Sequence, residues 1–398
     1  MNIYIIGSGI VGLTIGIKIK KKLKGSKVTI LEKEESSIKH GSGRNSGIIH
    51  SGVYYPSETL KAKLCIDGAK QLKNYVKNRK LWIDECGKIL IPTNDISYKN
   101  LDLLINRAKE NNIETNLISK YETIKLEPNI NPNFDKAMYI PFTSVVNPKE
   151  VMNSLLKDFL KLEGKIYYNE EVLNIESEAN KIKTKKNYFN FDYLINSSGL
   201  HSDRIARSAG LKFNYSFLPF KGKYWKIKKK YKLSKLVYPV PDLNFPFLGV
   251  HTVHNKNNEV FLGPTSTPVF GRESYKFLEN FKLTEIKELL PSFLIKILKN
   301  QNNLRNLALR ELKMLTKSGL IKEIKKLIKN VDKEDLFFYE EKTGIRSQIF
   351  DNTSKNLIND FVVKKYRNNQ IHILNAVSPA FTASFAFADY IIKEMNIN

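Results

Sequence analysis

The sequence is short of cysteine and of long apolar runs, and both shortages exclude classes of protein. Its two cysteines, Cys65 and Cys86, form neither a CxxC motif nor a metal-ligand spacing, so we expect free thiols in a reducing compartment and no metal site. No segment reaches the ~18 uncharged apolar residues that a membrane-spanning helix needs. The first apolar run begins at Ile3, which leaves no room for a signal peptide. These observations predict a cytoplasmic protein, either soluble or peripheral on the inner face of the membrane.

Acidic residues and arginines are also scarce. The chain has 65 lysines and arginines against 40 acidic residues, which gives a formal net charge of +25. Ten of the basic residues are arginines, and the lysines are dispersed with asparagine and isoleucine along the whole chain. The charge therefore has two open interpretations, compositional drift or selection for an anionic partner. No RNA-binding module or aromatic stacking motif is recognisable, so we expect no nucleic-acid partner.

The start of the chain contains a dinucleotide-binding pattern. The apolar run Ile3–Ile6 is followed by GSGIVG at residues 7–12, in the order strand, tight turn, helix. The first glycine permits the turn, the second lets the backbone approach a pyrophosphate, and the third lets the helix pack closely on the sheet. A second apolar segment, Val28–Leu31, ends in Glu32, where an acidic residue is expected to bind the ribose hydroxyls. The spacing predicts a site for an adenine dinucleotide in an α/β fold.

A glycine-rich loop follows at residues 39–56, with the sequence KHGSGRNSGIIHSGVYYP. Its glycines disfavour a stable helix and suit a loop whose main chain lies against a ligand. Arg44, Asn45 and Ser46 supply donors that a pyrophosphate or the edge of a flavin ring accepts. His50 stands near glycines and before two tyrosines, so it is a candidate proton acceptor.

The segment from Phe281 to Leu336 has a helical pattern. Apolar residues, among them Leu289, Leu294 and Leu298, are spaced to share one side, and lysines lie between them. Two interpretations stay open. The helices cap a substrate domain and are solvated, or they form a basic amphipathic surface that rests on anionic lipid, which suits an enzyme that reduces a membrane quinone.

The glycine-rich loop carries a resemblance to a known family. Residues 43–55, GRNSGIIHSGVYY, and residues 60–65, LKAKLC, closely resemble the L-2-hydroxyglutarate oxidases and dehydrogenases. These are FAD enzymes of the D-amino-acid-oxidase and glycerol-3-phosphate-dehydrogenase superfamily. The resemblance implies an α/β fold with a discontinuous Rossmann-like FAD-binding domain and an α+β substrate domain that contains a mixed sheet. The expected FAD-binding segments are 1–80, 142–215 and 338–398, and the expected substrate-domain segments are 81–141 and 216–337.

The resemblance also implies roles for individual residues. Arg346, within TGIRSQ, corresponds to an arginine that often binds the substrate carboxylate, although an interdomain salt bridge would also explain it. His251 lies on the strand expected to form the floor of the substrate pocket, where it is either a second candidate acid or base or a structural histidine whose hydrogen bonds are satisfied within the fold. A helix that begins near Pro379 would direct its amides at the flavin carbonyl that gains negative charge on reduction. The predicted catalytic residues are His50, His251, Arg346, Tyr54 and Tyr55. The predicted FAD-binding residues are Gly7, Gly9, Ile10, Val11, Gly12, Glu32, Lys33, Arg44, Asn45, Ser46, Gly47, Val172, Ser198, Gly199, Ser378, Pro379, Ala380, Phe381 and Thr382.

The implied reaction is the oxidation of L-2-hydroxyglutarate to 2-oxoglutarate. A histidine, His50 first and His251 second, would remove the hydroxyl proton while the C2 hydride passes to flavin N5, and the electrons would then go to a quinone or to oxygen. Three alternatives stay open: a related FAD oxidoreductase that acts on malate, glycerol 3-phosphate or an amino acid, an FAD-containing RNA-modifying or RNA-binding protein, and an NAD-dependent Rossmann enzyme.

Overall fold

The computed structural model describes residues 1–228, 231–243, 245, 247–276 and 282–397. The helices are α1 (Ile10–Lys22), α2 (Leu60–Asn78), α3 (Asp95–Glu110), α4 (Lys120–Leu126), α5 (Pro148–Lys161), α6 (Ser202–Ser208), α7 (Leu283–Leu298), α8 (Leu304–Lys313), α9 (Lys317–Lys325) and α10 (Ala380–Glu394). The strands are β1 (Asn2–Ile6), β2 (Lys27–Leu31), β3 (Ile48–Ile49), β4 (Ile83–Asp84), β5 (Lys88–Ile91), β6 (Asn116–Ser119), β7 (Lys136–Ile140), β8 (Ser144–Val146), β9 (Lys165–Tyr167), β10 (Val172–Glu176), β11 (Lys181–Thr184), β12 (Tyr188–Asn190), β13 (Tyr193–Asn196), β14 (Tyr215–Ile227), β15 (Leu236–Pro239), β16 (His251–His254), β17 (Val260–Gly263), β18 (Thr267–Pro268), β19 (Leu336–Asp351), β20 (Asn356–Leu357), β21 (Val362–Tyr366) and β22 (Gln370–Asn375).

A six-stranded sheet with the strand order β21-β22-β13-β1-β2-β9 organises one half of the molecule. Every neighbouring pair in it is parallel except β21 with β22, so crossover connections bring distant parts of the chain together. The helix α10 packs against both α1 and α2, and α5 packs against α1. The core of this half is built from apolar side chains of these strands and helices, which confirms the predicted α/β layer.

The glycines after β1 have the steric role that the pattern predicted. Gly7 has a φ of +97°, a conformation that other residues rarely adopt. A Cβ atom added to Gly12 would meet the carbonyl oxygen of Gly7 and the Oγ of Ser197. One helical turn later, a Cβ atom on Gly16 would press against the ring of Phe159. The missing side chain of Gly12 therefore lets the first turn of α1 lie against the end of β1, and that of Gly16 lets α1 pack closely on α5.

A second sheet, with the order β16-β17-β14-β19-β20, forms the centre of the other half. All of its pairings are antiparallel, and β18 pairs with β14 at the side. Next to it lies a four-stranded mixed sheet, β15-β5-β7-β6, in which β15 and β5 run parallel. This half contains the mixed sheet expected of a substrate domain. Strand β19 crosses the expected domain boundary at residue 338, and the exact division of the chain stays a prediction.

The expected helical stretch from Phe281 to Leu336 is only partly correct. Phe281 lies outside the described residues, and α7, α8 and α9 account for the stretch up to Lys325. Leu336 instead begins β19 and pairs with Ile227 of β14, because strand pairing decides the conformation there. The apolar residues do not share one side either, since Leu289 is buried and Leu298 is 74% exposed. Within the described parts of the chain, we find no helix whose length and apolar character would let it cross a membrane.

Candidate active site

A cavity of about 1000 Å³ is lined by residues of both halves of the molecule. It brings together all the predicted site residues except Gly12 and Gly47. Gly12 lies beneath the lining, where it permits the contact between α1 and the sheet. Gly47 has a φ of +80°, and a Cβ atom there would meet the carbonyl oxygen of Val146. Both glycines therefore shape the backbone below the cavity wall and do not form the wall itself.

One end of the cavity, which we call the dinucleotide end, is formed by the GSGIVG turn and the end of β2. Glu32 is buried there, and its carboxylate accepts hydrogen bonds from the amide of Ser8 (2.9 Å), the Oγ of Ser8 (2.7 Å) and the amide of Glu34 (3.0 Å). The first turn of α1 contains no acidic residue, and its N-cap, Gly9, offers no side chain; one of its first amides, that of Ile10, donates to the Oγ of Ser42 at 2.9 Å. The positive end of the helix dipole therefore faces the cavity, as a bound phosphate requires.

Some polar side chains of the glycine-rich loop form hydrogen bonds within the loop. Asn45 donates from Nδ2 to two carbonyl oxygens of the same loop, at 2.7 and 3.1 Å. Arg44 donates from Nε to the carbonyl oxygen of Lys39 at 2.7 Å and stacks on the ring of Tyr275, 4.3 Å from its centroid. Both residues line the cavity, but these contacts leave them fewer donors for a ligand than their sequence suggests.

A cluster of charged residues lies at the dinucleotide end, and Lys33 is the one member of it that was predicted. The Lys33 ammonium pairs with Glu34 and, at 2.8 Å, with Glu273. Glu273 also lies 2.7 Å from Nε2 of His201, and Glu34 lies 3.0 Å from Nε2 of His40. The hydrogen bond from His40 holds the pKa of Glu34 at about 2. Lys33 is therefore already neutralised by the protein, and its sequence position alone could not reveal its two partners.

The N-terminus of α10 closes the cavity from the C-terminal side. Its N-cap is Pro379, which provides no side-chain cap, and its first turn contains no acidic residue. Thr382 donates from Oγ1 to the carbonyl oxygen of Ile48 at 3.1 Å and accepts from the amide of His50 at 3.2 Å. The positive end of the α10 dipole therefore faces the cavity without a neutralising acidic residue in its first turn. The same helix end holds the loop that carries His50.

The other end of the cavity, which we call the substrate end, contains two buried imidazoles. His251 donates from Nδ1 to the carbonyl oxygen of Gly249 at 2.8 Å, so its Nε2 carries the free lone pair. Its ring stacks on Tyr238 with centroids 3.8 Å apart. The Nδ1 of His50 is buried and has no partner among the described residues. Burial, reinforced by the nearby charge of Lys88, lowers the pKa of both imidazoles to about 3. Both are therefore neutral near pH 7, and each keeps one ring nitrogen without a proton.

Arg346 reaches the same end from β19. Its NH1 group donates to the carbonyl oxygen of Thr265 and to the Oγ of Ser266, both at 3.1 Å, and the guanidinium lies over the ring of Phe247. Burial lowers its pKa, although a guanidinium stays protonated in proteins. No described carboxylate forms an ion pair with it, so the expected alternative of an interdomain salt bridge is not seen. The remaining donors are available to an anion in the cavity.

Two buried lysines near the predicted tyrosines were missed by the sequence reasoning. Lys61 lines the cavity 5.7 Å from the ring centroid of Tyr55, and burial lowers its pKa to about 8. Lys88 is fully buried, donates to the hydroxyl of Tyr54 at 3.1 Å, and has its pKa lowered by burial to about 7. A signal for Lys88 was present, since it opens the apolar run KILI, where a lysine is unexpected.

Comparisons with known sequences agree with this architecture. The family model described as FAD dependent oxidoreductase matches residues 2–393. The L-2-hydroxyglutarate dehydrogenase of Indibacter alkaliphilus is 36% identical over 394 residues, covering 97% of this chain and 96% of that protein. The Escherichia coli K12 protein of the same name is 32% identical over 400 residues, covering 99% and 93%. The human mitochondrial protein of that name is 32% identical over 416 residues, covering 99% and 88%.

Solved structures show the same fold at lower identity. An L-alpha-glycerophosphate oxidase from Mycoplasma pneumoniae with FAD bound superposes with a TM-score of 0.78 at 20% identity, covering 100% of this chain and 95% of that one. Glycine oxidase from Geobacillus kaustophilus gives a TM-score of 0.72 at 16% identity, covering 98% and 93%. At these identities the likeness establishes the fold alone.

Proposed function

The chain belongs to the FAD-dependent oxidoreductase family, whose cofactor is FAD, and from this premise we propose that it oxidises L-2-hydroxyglutarate to 2-oxoglutarate. The observation that carries the proposal is the substrate end of the cavity, where two neutral imidazoles lie near an arginine that has no carboxylate partner among the described residues. A 2-hydroxy acid needs a proton acceptor at its hydroxyl and a cation at its carboxylate. The names of the sequence relatives support the choice of substrate.

The residues at the dinucleotide end fit FAD. A pyrophosphate would bind at the GSGIVG turn, where the backbone can approach closely, and at the N-terminus of α1. A ribose would bind at the buried carboxylate of Glu32. The N-terminus of α10 would face the flavin, where its dipole favours negative charge. When bound, FAD supplies the hydride-accepting chemistry, and the protein supplies binding and orientation.

The protein's part in the reaction is proton removal and orientation. His50 is the first proposed proton acceptor because its backbone is held to Thr382 at the start of α10, on the flavin side. His251 is the second, with an Nε2 lone pair that its Nδ1 hydrogen bond keeps in place. Removal of the hydroxyl proton matters because an alcohol gives up hydride readily only as alkoxide character develops. Arg346 would hold a substrate carboxylate through its planar fork, and Tyr54 or Tyr55 would donate a further hydrogen bond.

The test is anaerobic addition of candidate substrates to the purified, FAD-loaded protein while the flavin absorbance is followed. We expect L-2-hydroxyglutarate to bleach the flavin, and its D isomer, L-malate and glycerol 3-phosphate to leave it oxidised. Bleaching by malate, glycerol 3-phosphate or an amino acid instead would identify a related oxidase. A protein that holds FAD but responds to none of these compounds, and that retains RNA in a salt-sensitive manner, would favour the RNA-modifying alternative.

We also propose that α7 and α8 form a surface that contacts anionic lipid, where a quinone would be available as electron acceptor. Large apolar residues are exposed on both helices: Leu294 (46%), Ile295 (52%) and Leu298 (74%) on α7, and Leu309 (53%) and Leu312 (58%) on α8. Exposed lysines in and beside these helices are Lys287, Lys299 and Lys313. Apolar side chains combined with positive charge are the features of an interfacial surface.

Vesicle sedimentation tests this surface. The protein should sediment with vesicles that contain phosphatidylglycerol and not with pure phosphatidylcholine. The double variant Leu298→Glu, Leu312→Glu should lose binding, whereas the control Leu117→Glu, at a leucine on β6 that is 49% exposed, should keep it. Equal sedimentation of all three proteins, or none at all, would overturn the proposal and leave oxygen as the favoured acceptor.

A further inference from the structure

Lys88 is a buried cation beside the substrate end of the cavity. Its side chain is 0% exposed, and its Nζ lies 4.5 Å from the ring centroid of Tyr54 and 4.9 Å from that of Tyr238. The hydroxyl of Tyr54, at 3.1 Å, is its hydrogen-bond partner. Within the described parts of the chain, Lys88 has no carboxylate partner. Its charge is therefore stabilised only by a hydroxyl and two aromatic faces.

Such an arrangement is costly for folding. A buried ammonium without a counter-ion loses several kcal/mol of hydration that two ring faces and one hydroxyl offset only in part. The cavity nevertheless contains a second cation, Arg346, and His251 experiences the charge of both. Among the described residues, Lys88 has no counter-ion, and Arg346 forms no ion pair, although the buried carboxylate of Glu311 acts on its charge from a distance. This surplus of positive charge at one end of the cavity indicates that the ligand brings negative charge, and that it brings more than one.

The direction of the hydrogen bond shows how Lys88 would reach a ligand. Lys88 does not line the cavity, but Tyr54 does. An ammonium can only donate, so the Tyr54 hydroxyl accepts from Lys88 and its own hydrogen must point elsewhere. No other hydrogen bond of this hydroxyl occurs among the described residues. Tyr54 is thus a donor polarised by the cation behind it, and such charge-assisted donors favour an anionic acceptor.

We propose that Tyr54, with Lys88 as its positioning residue, forms a second carboxylate subsite in addition to Arg346, so that the cavity selects dicarboxylates over monocarboxylates. This inference rests on the proposed function, since it assigns the second carboxylate of the substrate. Arg346 binds one carboxylate and the Tyr54 hydroxyl binds the other. A 2-hydroxy acid with a single carboxylate leaves the subsite unfilled and Lys88 without an anion.

The subsite should weaken as the pH rises. The titratable groups that face Lys88 are Tyr54, Tyr238, Cys65, His50 and His251. The pKa values of the three hydroxyl and thiol groups are raised and those of both imidazoles are about 3, so none of the five changes charge near neutrality. Lys88, with a pKa of about 7 in the free protein, does change. Dicarboxylate affinity is therefore full below pH 7 and falls above it. Lys61, with a pKa of about 8, would add a second fall at higher pH that does not depend on Lys88.

The experiment measures the binding of two inert acids to the FAD-loaded protein through the change they cause in the flavin spectrum. Glutarate has two carboxylates, and butyrate has one and a similar chain. For Lys88→Met, which keeps the length and removes the charge, we expect the Kd for glutarate to rise tenfold or more and the Kd for butyrate to change less than threefold. Tyr54→Phe should cause the same selective loss. Lys73→Met is the matched control, because Lys73 is also buried against a ring, that of Phe142, but its hydrogen-bond partners, Glu85 and the carbonyl oxygen of Phe142, do not line the cavity.

The outcomes separate this inference from the proposed function. If the unaltered protein oxidises L-2-hydroxyglutarate but Lys88→Met retains its preference for glutarate over butyrate, the subsite is wrong and the function stands. If glutarate binds no better than butyrate to the unaltered protein and L-2-hydroxyglutarate is not oxidised, the function itself fails. The fall in glutarate affinity near pH 7 must also disappear in Lys88→Met. If it persists there, Lys88 is not the group that titrates.

Discussion

The two ends of the cavity are built from different parts of the chain and hold their ligands by different physics. The dinucleotide end presents main chain, namely the GSGIVG turn and two helix N-termini, together with the carboxylate of Glu32. The substrate end is built from buried side chains, namely the cations Lys88 and Arg346 and the neutral imidazole of His251, on three strands far apart in sequence. Ligand binding at the dinucleotide end depends on how closely the backbone can approach the ligand, and ligand binding at the substrate end depends on electrostatics. Steric substitutions should therefore remove FAD, whereas charge substitutions should leave FAD bound and impair catalysis.

Gly12→Val should have the largest effect, a loss of FAD. The new side chain would collide with the carbonyl oxygen of Gly7, which is backbone and cannot yield without moving the turn. Because overpacking of this kind costs about 1–3 kcal/mol or more, we expect FAD affinity to fall at least roughly tenfold. The flavin-to-protein absorbance ratio after gel filtration measures this. Gly25→Ala is the control, since it strains a turn at a φ of +82° outside the cavity lining and blocks no backbone contact, so the folded variant should keep the normal ratio. Normal flavin content in Gly12→Val would show that the close approach is not required.

At the substrate end, His50→Ala should slow flavin reduction without loss of FAD. Removing a general base lowers the rate by roughly 10²–10⁴-fold, and we expect His251→Ala to cost less. Stopped-flow absorbance under anaerobic conditions gives both rates. Since the pKa of each imidazole is about 3, neither histidine should cause a change of rate between pH 5 and pH 9. A larger loss in His251→Ala would reverse the order of the two acceptors.

Arg346→Lys should have a smaller effect, because it keeps the charge and removes only the planar fork. Losing one charge-assisted hydrogen bond costs about 1.5–3 kcal/mol, so kcat/KM for L-2-hydroxyglutarate should fall about tenfold to a hundredfold. Steady-state kinetics of the FAD-loaded protein measure this fall. The control is Arg310→Lys, whose guanidinium lies over the ring of Phe245 and does not line the cavity. An unchanged kcat/KM in Arg346→Lys would mean that Arg346 does not bind the carboxylate as a fork.

His372→Leu should have the smallest effect on FAD binding and catalysis, because it concerns only stability in acid. His372 is fully buried in β22, and burial lowers its pKa from 6.5 to about 4. Above pH 6.5 neither the folded nor the unfolded chain binds the proton, so stability is full there. Between pH 6.5 and pH 4 only the unfolded chain binds it, and the folded state loses about 3 kcal/mol. Urea unfolding at several pH values should show a shallower acid loss in His372→Leu. Parallel pH curves for the two proteins would contradict this.

The same contrast explains how far the sequence could predict the site. The GSGIVG turn and Glu32 could be predicted because their signals are local, with glycines, strand and acid in fixed order along one βαβ unit, whereas the partners of Lys33 at the same end could not. Arg346 and His251 were reached through the family resemblance. Lys88 was not predicted, since nothing in its own segment shows that β5 lies behind Tyr54, which is set by tertiary packing.

The errors have the same origin. Leu336 was expected to be helical, but its pairing with β14 places it in a strand, and such pairing cannot be read from local apolar spacing. The roles of Arg44 and Asn45 at the ligand stay predictions, because both line the cavity, but a sequence does not show that the loop itself takes several of their hydrogen bonds.

The bond between Thr382 and His50 has a consequence for the order in which the protein matures. A ribosome makes β1, α1 and the glycine-rich loop first, but β22 and the start of α10 come more than 300 residues later. Until they emerge, the edge of β13 is unpaired, and neither Ile48 nor His50 has its Thr382 partner. A nascent chain can therefore display the complete GSGIVG turn and still lack one wall of the cavity. Flavin binding should therefore require β22 and the start of α10, and we expect a chain truncated before β22 to lack bound FAD.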